Sequence, residues 1–254
     1  MEPVYSSVIA FARCVFALQG LRFTVNGAEN VPADGGAVMA INHTGYMDFT
    51  YAGLAARPAG RVIRFMAKEQ VFRHPVSGPL MRGMRHIPVD RDAGAASYRA
   101  AVQALKAGEI VGVFPEATIS RSFELKEFKT GAVRMAAAAG VPLLPMVIWG
   151  SQRVWTKDHP KRLGRTRTPI ILSVGKAIPV NRKDAPEVAL HALRAAMTEL
   201  LHAAQDAYPP LTGDDLKFLP ARLGGAAPTP EQAQQLDLAE SAARAARRAA
   251  RGSA

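Results

Sequence analysis

The sequence predicts an α/β protein, a single domain with a central mixed, largely parallel sheet flanked by helices. Residues 36–41 and 109–114 are short, continuously apolar stretches, typical of strands that are buried on both faces. A segment with a helical pattern, residues 97–107, precedes the second stretch and ends at Gly108, a usual C-terminal signal of helices. A chain of 254 residues is long enough for one such core.

The first element is an amphipathic helix over residues 3–19. Its apolar residues recur at helical spacing: Val4, Val8, Phe11, Val15 and Leu18. The segment is too short to span a bilayer, Arg13 lies near its centre, and the features of a signal peptide are missing. We therefore expect an interfacial anchor on the cytoplasmic face of a membrane, peripheral or monotopic. The alternative is a helix docked on the core of its own domain.

The later segments are predicted to form structural elements without a catalytic role. Helices are expected over residues 97–107 and 130–139, and a strand over residues 170–174. Asp184 and Glu187 resemble a capping box that begins another helix. Composition then changes to alanine, glycine, proline and arginine. We divide the chain into an interfacial helix (1–20), a main domain (21–218) and a tail (219–254) that is expected to be flexible, since it has few large apolar residues.

Several functional classes are disfavoured by what the sequence lacks. Cys14 is the single cysteine, so an intramolecular disulfide is impossible and a cysteine metal cluster is not offered. The motifs of serine hydrolases, zinc proteases and nucleotide-binding folds do not occur. We expect neither a cofactor nor a metal.

The loop at residues 42–48 is the most informative stretch. His43 and Asp48 lie five positions apart there, directly after the first apolar run. A neutral imidazole can take a proton from an alcohol near pH 7, and a carboxylate on its other nitrogen fixes the tautomer and stabilises the imidazolium. The pair alone is weak evidence, because histidines in loops are more often structural.

A second polar loop, residues 114–120, follows the other apolar run and carries Glu116. If the two strands are parallel, their carboxyl ends meet at one edge of the sheet, where open α/β sheets bind ligands. The two loops then form one candidate site. An alcohol activated by His43 can attack a thioester directly, so acyl transfer there needs no covalent enzyme intermediate.

These loops resemble the signatures NHxxxxD and FPEGTRS of the glycerolipid acyltransferases of the 1-acylglycerol-3-phosphate acyltransferase type. The matching residues are Asn42, His43 and Asp48, then Phe114, Pro115, Glu116, Thr118 and Ser120. Residues 83–91 are similar to an intermediate block that ends in an arginine, here Arg91. Residues 141–148 are similar to a proline-containing strand associated with acyl-donor binding. Four blocks in order, over residues 25–178, make the resemblance specific.

The resemblance implies that His43 is the general base, that Asp48 is its partner, and that Glu116 and Arg91 position the acceptor. The residues it suggests for substrate binding are Asn42, Lys68, Arg91 and Thr118. Ala117 departs from the family glycine, and Ile119 replaces the arginine of FPEGTR, so one expected phosphate contact is missing. Our hypothesis is that Arg121 supplies this charge. The acceptor head group is open at this point.

The net charge of +11 is explained either by an anionic partner or by solubility, and the uneven distribution of the basic residues favours a partner. Basic and apolar residues are mixed over residues 57–85, which suits an anionic membrane surface or the phosphates of acyl-CoA. Basic residues at 161–167 and in the tail are the argument for nucleic acid, but the chain has no recognised nucleic-acid module. We expect no nucleic-acid partner.

The expected function is transfer of a fatty acyl group from acyl-CoA, or from acyl carrier protein, to a lysophospholipid hydroxyl. Lysophosphatidate is the favoured acceptor, with phosphatidate as product. A different acceptor, such as a lipid-linked sugar, is an alternative within the same chemistry. A non-catalytic lipid-binding relative and an esterase acting on the thioester are alternatives of other classes.

Overall fold

Seven strands and eight α-helices make up the described part of the chain, residues 2–90 and 94–252 of the computed structural model. The strands are β1 (Arg22–Asn26), β2 (Ala37–Ile41), β3 (Ile63–Lys68), β4 (Ile87–Val89), β5 (Ile110–Val113), β6 (Leu143–Trp149) and β7 (Pro169–Val174). The helices are α1 (Pro3–Leu18), α2 (Asp48–Ala56), α3 (Glu69–Arg73), α4 (Ser77–Gly83), α5 (Gly94–Lys106), α6 (Gly131–Ala139), α7 (Pro186–Asp206) and α8 (Pro230–Gly252).

The strands form one sheet in the order β1-β7-β6-β2-β5-β3-β4. All neighbouring pairs are parallel except β6 and β7, which are antiparallel, so the predicted mixed and largely parallel sheet is confirmed. Central strand β2 pairs with β5 on one side and β6 on the other. Because β2, β3, β5 and β6 run in one direction, their carboxyl ends lie at the same edge of the sheet.

Two apolar layers cover the sheet, and β2 contributes to both. Val38 and Ala40 face the layer that includes α5, α6 and α7. Met39 and Ile41 face the opposite layer, which contains α2 and Phe16 of α1. Every residue of β2 is fully buried, which explains why this strand reads as a continuous apolar run rather than an alternating one.

The predicted strands at 36–41, 109–114 and 170–174 are observed as β2, β5 and β7, and the predicted helices at 3–19, 97–107 and 130–139 as α1, α5 and α6. The capping box predicted for α7 is wrong. No side chain caps this helix, and Asp184 instead accepts a hydrogen bond from Asn181. Pro186 begins the helix, since its fixed φ suits the first helical turn.

The tail, expected to be flexible, contains helix α8. Ala233 is buried, whereas Leu236 and Leu238 are exposed, so the helix offers little apolar surface to the domain. Its attachment is ionic: Asp237 and Glu240 pair with basic residues of the main domain. The prediction of a flexible tail took only large apolar residues as possible contacts, so it did not include an attachment that depends on two carboxylates. The domain boundaries remain predictions.

One arginine of the basic segment at residues 57–85 is buried, although the sequence pattern places all of its basic residues on the surface. Arg64 is only 2% exposed and pairs with Glu2 and Glu109. Arg61 and Arg82 donate hydrogen bonds to backbone carbonyl groups. Arg64 is therefore not available to membrane or acyl-CoA phosphates, whereas Arg57, Lys68, Arg73, Arg82 and Arg85 are exposed.

Candidate active site

His43 and Asp48 are paired at the carboxyl edge of the sheet. His43 lies two residues after β2, and Asp48 is the first residue of α2. The distance from His43 Nδ1 to Asp48 Oδ2 is 2.9 Å. Asp48 is fully buried, whereas the His43 side chain is 20% exposed, so the imidazole is accessible and its partner is not.

The surroundings of Asp48 determine the tautomer of His43. Asp48 Oδ2 accepts backbone N–H bonds from Thr44, at 2.8 Å, and from Gly45, at 2.9 Å. An oxygen that accepts these bonds is an acceptor toward the imidazole as well, so Nδ1 of His43 carries the proton. Nε2 therefore keeps its lone pair, which is the arrangement that a general base requires.

Ser151 completes this array, and the sequence analysis missed it. Its hydroxyl donates to Asp48 Oδ1, on the far side of the carboxylate from His43. A Cβ at Gly45 would lie 2.5 Å from the Ser151 hydroxyl oxygen, so glycine is needed there for the close approach. Ser151 follows β6, the second parallel neighbour of β2. The rule that the carboxyl ends of parallel strands meet at one edge of the sheet, which predicted the position of Glu116, therefore also predicts that of Ser151.

The second loop holds the backbone of His43 from both sides. Glu116 Oε1 accepts the N–H of His43 at 2.9 Å, and the N–H of Ser120 donates to the His43 carbonyl at 2.7 Å. Glu116 Oε2 accepts the N–H of Lys126 at 3.2 Å. The two polar loops thus meet at one edge of the sheet, as predicted, and Glu116 links them.

Glu116 is buried, and burial raises the pKa of its carboxyl group to about 8. The backbone N–H bonds from His43 and Lys126 act in the opposite direction but are the smaller effect. Both oxygens of this buried carboxyl group accept backbone N–H bonds, so Glu116 holds the two loops together, which differs from its expected contact with the acceptor.

Aromatic rings flank the imidazole. The Phe114 ring stacks on His43 with centroids 4.2 Å apart and planes at 24°. Phe65 lies behind Phe114, with ring centroids 6.3 Å apart. His86 is not a second base, because its Nδ1 accepts the Phe65 N–H at 3.1 Å and burial lowers its pKa to about 4.

The two departures from the FPEGTRS signature have different structural consequences. Ala117 has a φ of 61°, the left-handed conformation that favours glycine, and this costs on the order of 1 kcal/mol. Its side chain is exposed, so the substitution for glycine strains the backbone without a clash. Ile119 is buried, so the position at which the signature has an arginine is filled by an apolar side chain.

Asn42 is placed differently from its predicted role in substrate binding. Its side chain donates to the Ile148 carbonyl at 3.1 Å and accepts the Ile148 N–H at 2.7 Å. It is buried and extends the pairing of β2 with β6 beyond the strand. Both ends of the amide are engaged with backbone, so Asn42 holds the start of the His43 loop.

The other predicted binding residues lie in two places. Lys68 and Thr118 line one cavity of about 590 Å³ beside the second loop. Arg121 is buried and paired with Asp158, Asp237 and Glu240. Arg91 lies outside the described residues.

Comparison with known proteins gives the family. A family model described as acyltransferase matches residues 22–149, half of the chain. The chain belongs to the acyltransferase family. It is 32% identical over 182 residues to a 1-acyl-sn-glycerol-3-phosphate acyltransferase of Bacillus subtilis, covering 70% of this chain and 83% of the relative. A protein of the same name from Borreliella burgdorferi is 29% identical over 147 residues, 56% of each chain.

A solved structure agrees with the fold of this acyltransferase. The crystal structure of the 1-acyl-sn-glycerophosphate (LPA) acyltransferase PlsC from Thermotoga maritima superimposes with a TM-score of 0.67. The match covers 81% of each chain at 22% identity, and it shows a common α/β architecture. Within residues 2–90 and 94–252, no helix is long and apolar enough to cross a membrane.

The raised pKa of Glu116 predicts a pH-dependent stability. Between the ordinary value of 4.5 and about 8, the folded protein holds a proton that the unfolded chain releases, so stability falls as pH rises through this window. Glu116→Gln is uncharged at every pH. We expect the fall in unfolding free energy between pH 5 and pH 8 to shrink by on the order of 2–4 kcal/mol in this variant.

Urea denaturation at the two pH values measures this difference. Glu187→Gln, an exposed change on α7, is the matched control and should keep the wild-type pH dependence. Equal pH dependence of the unfolding free energy in Glu116→Gln and in wild type would contradict the raised pKa of Glu116.

Proposed function

We propose that this acyltransferase moves a fatty acyl group from a thioester to the free hydroxyl of 1-acylglycerol-3-phosphate, producing phosphatidate. The observation that supports it best is the chain of hydrogen bonds from Ser151 through Asp48 to His43, which leaves Nε2 free to accept a proton. The names of the two bacterial relatives support the choice of acceptor. The donor is acyl-CoA or acyl carrier protein.

In the proposed mechanism, Nε2 of His43 removes the proton of the acceptor hydroxyl as its oxygen attacks the thioester carbonyl carbon. The C–S bond then breaks, and the imidazolium returns its proton to the departing thiolate. Asp48 keeps Nδ1 protonated and stabilises the imidazolium that forms. Direct attack requires the acceptor and the thioester to be bound side by side. Holding the two reactants in this geometry lowers the activation free energy by several kcal/mol.

Glu116 acts as a positioning residue in this mechanism. It accepts the His43 N–H and so fixes the loop from which the base projects. Lys68, Thr118 and Arg91 are proposed to bind the acceptor. Lys68 and Thr118 line the same cavity, whose volume of about 590 Å³ is in the range of small-molecule sites.

Replacement of the base tests the proposal. With palmitoyl-CoA and lysophosphatidate, we expect wild-type protein to release thiol and to form phosphatidate, identified by mass spectrometry. His43→Ala should lower kcat by roughly 10²–10⁴, because general-base catalysis is lost. His191→Ala, an exposed change on α7, is the matched control and should retain the wild-type rate.

The acceptor requirement separates this function from its alternatives. Thiol release without lysophosphatidate would contradict acyl transfer and indicate an esterase. Absence of release both with palmitoyl-CoA and with palmitoyl-acyl carrier protein would contradict the proposed reaction. An unchanged rate in His43→Ala would contradict the proposed base.

We further propose that the enzyme binds the cytoplasmic surface of an anionic membrane through α1. One face of the helix packs on its own domain through Tyr5 and Phe16, as expected for the alternative of a docked helix. The other face carries Phe11 and Leu18, which are 71% and 77% exposed. Large apolar side chains exposed on one helix face suit insertion into the interface of a bilayer.

Phe11→Ser and Leu18→Ser test this orientation by flotation with phosphatidylglycerol vesicles. Each substitution removes an apolar side chain from the interface, so we expect membrane partitioning to fall about tenfold per site. Leu238→Ser, a comparably exposed change on α8, should partition as wild type does. Equal flotation of all three variants and wild type would contradict insertion through α1.

A further inference from the structure

Helix α8 places two carboxylates on a cluster of three cations. Asp237 pairs with Arg121, Lys126 and Lys157, and Glu240 pairs with Arg121 and Lys157. The Arg121 and Lys157 side chains are 8% and 11% exposed. The cations belong to the main domain and the two carboxylates to the tail, so movement of one helix would remove both carboxylates at once. Asp158 of the main domain would then be the carboxylate that stays paired with Arg121.

The cation cluster is in contact with the FPEGTRS-like loop. Lys126 Nζ donates to the Thr118 hydroxyl at 2.6 Å, and the Lys126 backbone N–H donates to Glu116. The side chain of Ile119, where the signature has an arginine, is buried and apolar. Lys126 therefore brings a positive charge to the loop that lacks its arginine.

The same helix forms one wall of the cavity beside this loop. Ser241, Arg244 and Ala245 of α8 line it together with Lys68 and Thr118. The helix contributes little apolar packing, since Leu236 and Leu238 are exposed. The helix is thus held to this cluster mainly by ion pairs, so an anion of equal charge that binds the same three cations competes directly with the two carboxylates.

We propose that Arg121, Lys126 and Lys157 form the subsite for the phosphate of the acceptor, and that α8 is a lid whose Asp237 and Glu240 occupy this subsite until the acceptor arrives. A phosphomonoester carries a charge between −1.5 and −2 near pH 7 and three acceptor oxygens, which matches the two carboxylates it replaces. This inference rests on the proposed function, because it takes the acceptor to be a phosphomonoester.

Hydrogen exchange of the full-length protein tests lid opening without turnover. Lysophosphatidate added in the absence of donor should speed amide exchange in α8, because the phosphate takes the place of the carboxylates. Monoacylglycerol with the same acyl chain lacks the phosphate and should leave exchange in α8 unchanged. Slower or unchanged exchange with lysophosphatidate would overturn the proposal.

Asp237→Asn tests the same competition in kinetics. The variant removes the carboxylate that contacts all three cations, so the subsite is open more of the time. We expect KM for lysophosphatidate to fall roughly three- to tenfold with kcat unchanged. Glu231→Gln, at the start of the same helix, removes one charge outside the cluster and should leave KM unchanged.

A fixed structural role for α8 predicts the opposite outcome. Asp237→Asn would then lower the melting temperature and raise KM or leave it unchanged, and either result for KM would overturn the lid. The two proposals fail separately. Faster exchange in α8 with lysophosphatidate, but no phosphatidate formation, would contradict the proposed reaction and support the lid. Phosphatidate formation with unchanged exchange in α8 would support the reaction and contradict the lid.

Discussion

The backbone of His43 is the point on which the site depends. Glu116 accepts its N–H and Ser120 donates to its carbonyl, so the second loop holds the residue on both sides. Asp48 then fixes the ring. This arrangement is possible because β2 and β5 are parallel neighbours, whose following loops leave the sheet side by side. Burial of Glu116, with the raised pKa that accompanies it, is the energetic cost of linking the loops.

Much of the fold could be predicted because its signal is local. Strands β2 and β5 are buried on both faces and are apolar throughout, and helices α5 and α7 carry buried residues at helical spacing. The meeting of the His43 and Glu116 loops followed from one further rule, that parallel strands present their carboxyl ends at a common edge. Local pattern and strand direction together were sufficient to bring the two loops together.

The remaining features depend on polar contacts between distant parts of the chain, and such contacts leave no periodic pattern. Ser151 is 103 residues from Asp48, and Asp237 is 116 residues from Arg121. Asn42 is a polar residue in the signature loop and is therefore expected to bind substrate, but its side-chain amide pairs with the backbone of Ile148 in β6 instead. Charge counts likewise assume that basic side chains face solvent, whereas Arg64 is buried with acidic partners. Only the folded arrangement distinguishes these roles.

The central claim is that Asp48 holds His43 as the Nδ1-protonated tautomer with Nε2 available as the base. Nitrogen-15 NMR of histidine-labelled protein, with the His43 signals assigned by their loss in His43→Ala, measures this directly. We predict that neutral His43 in wild type is protonated at Nδ1. In Asp48→Asn we predict that this preference is lost and that kcat falls by roughly 10²–10⁴. A neutral His43 protonated at Nε2 in wild type, or an Asp48→Asn variant with unchanged spectrum and rate, would contradict the account.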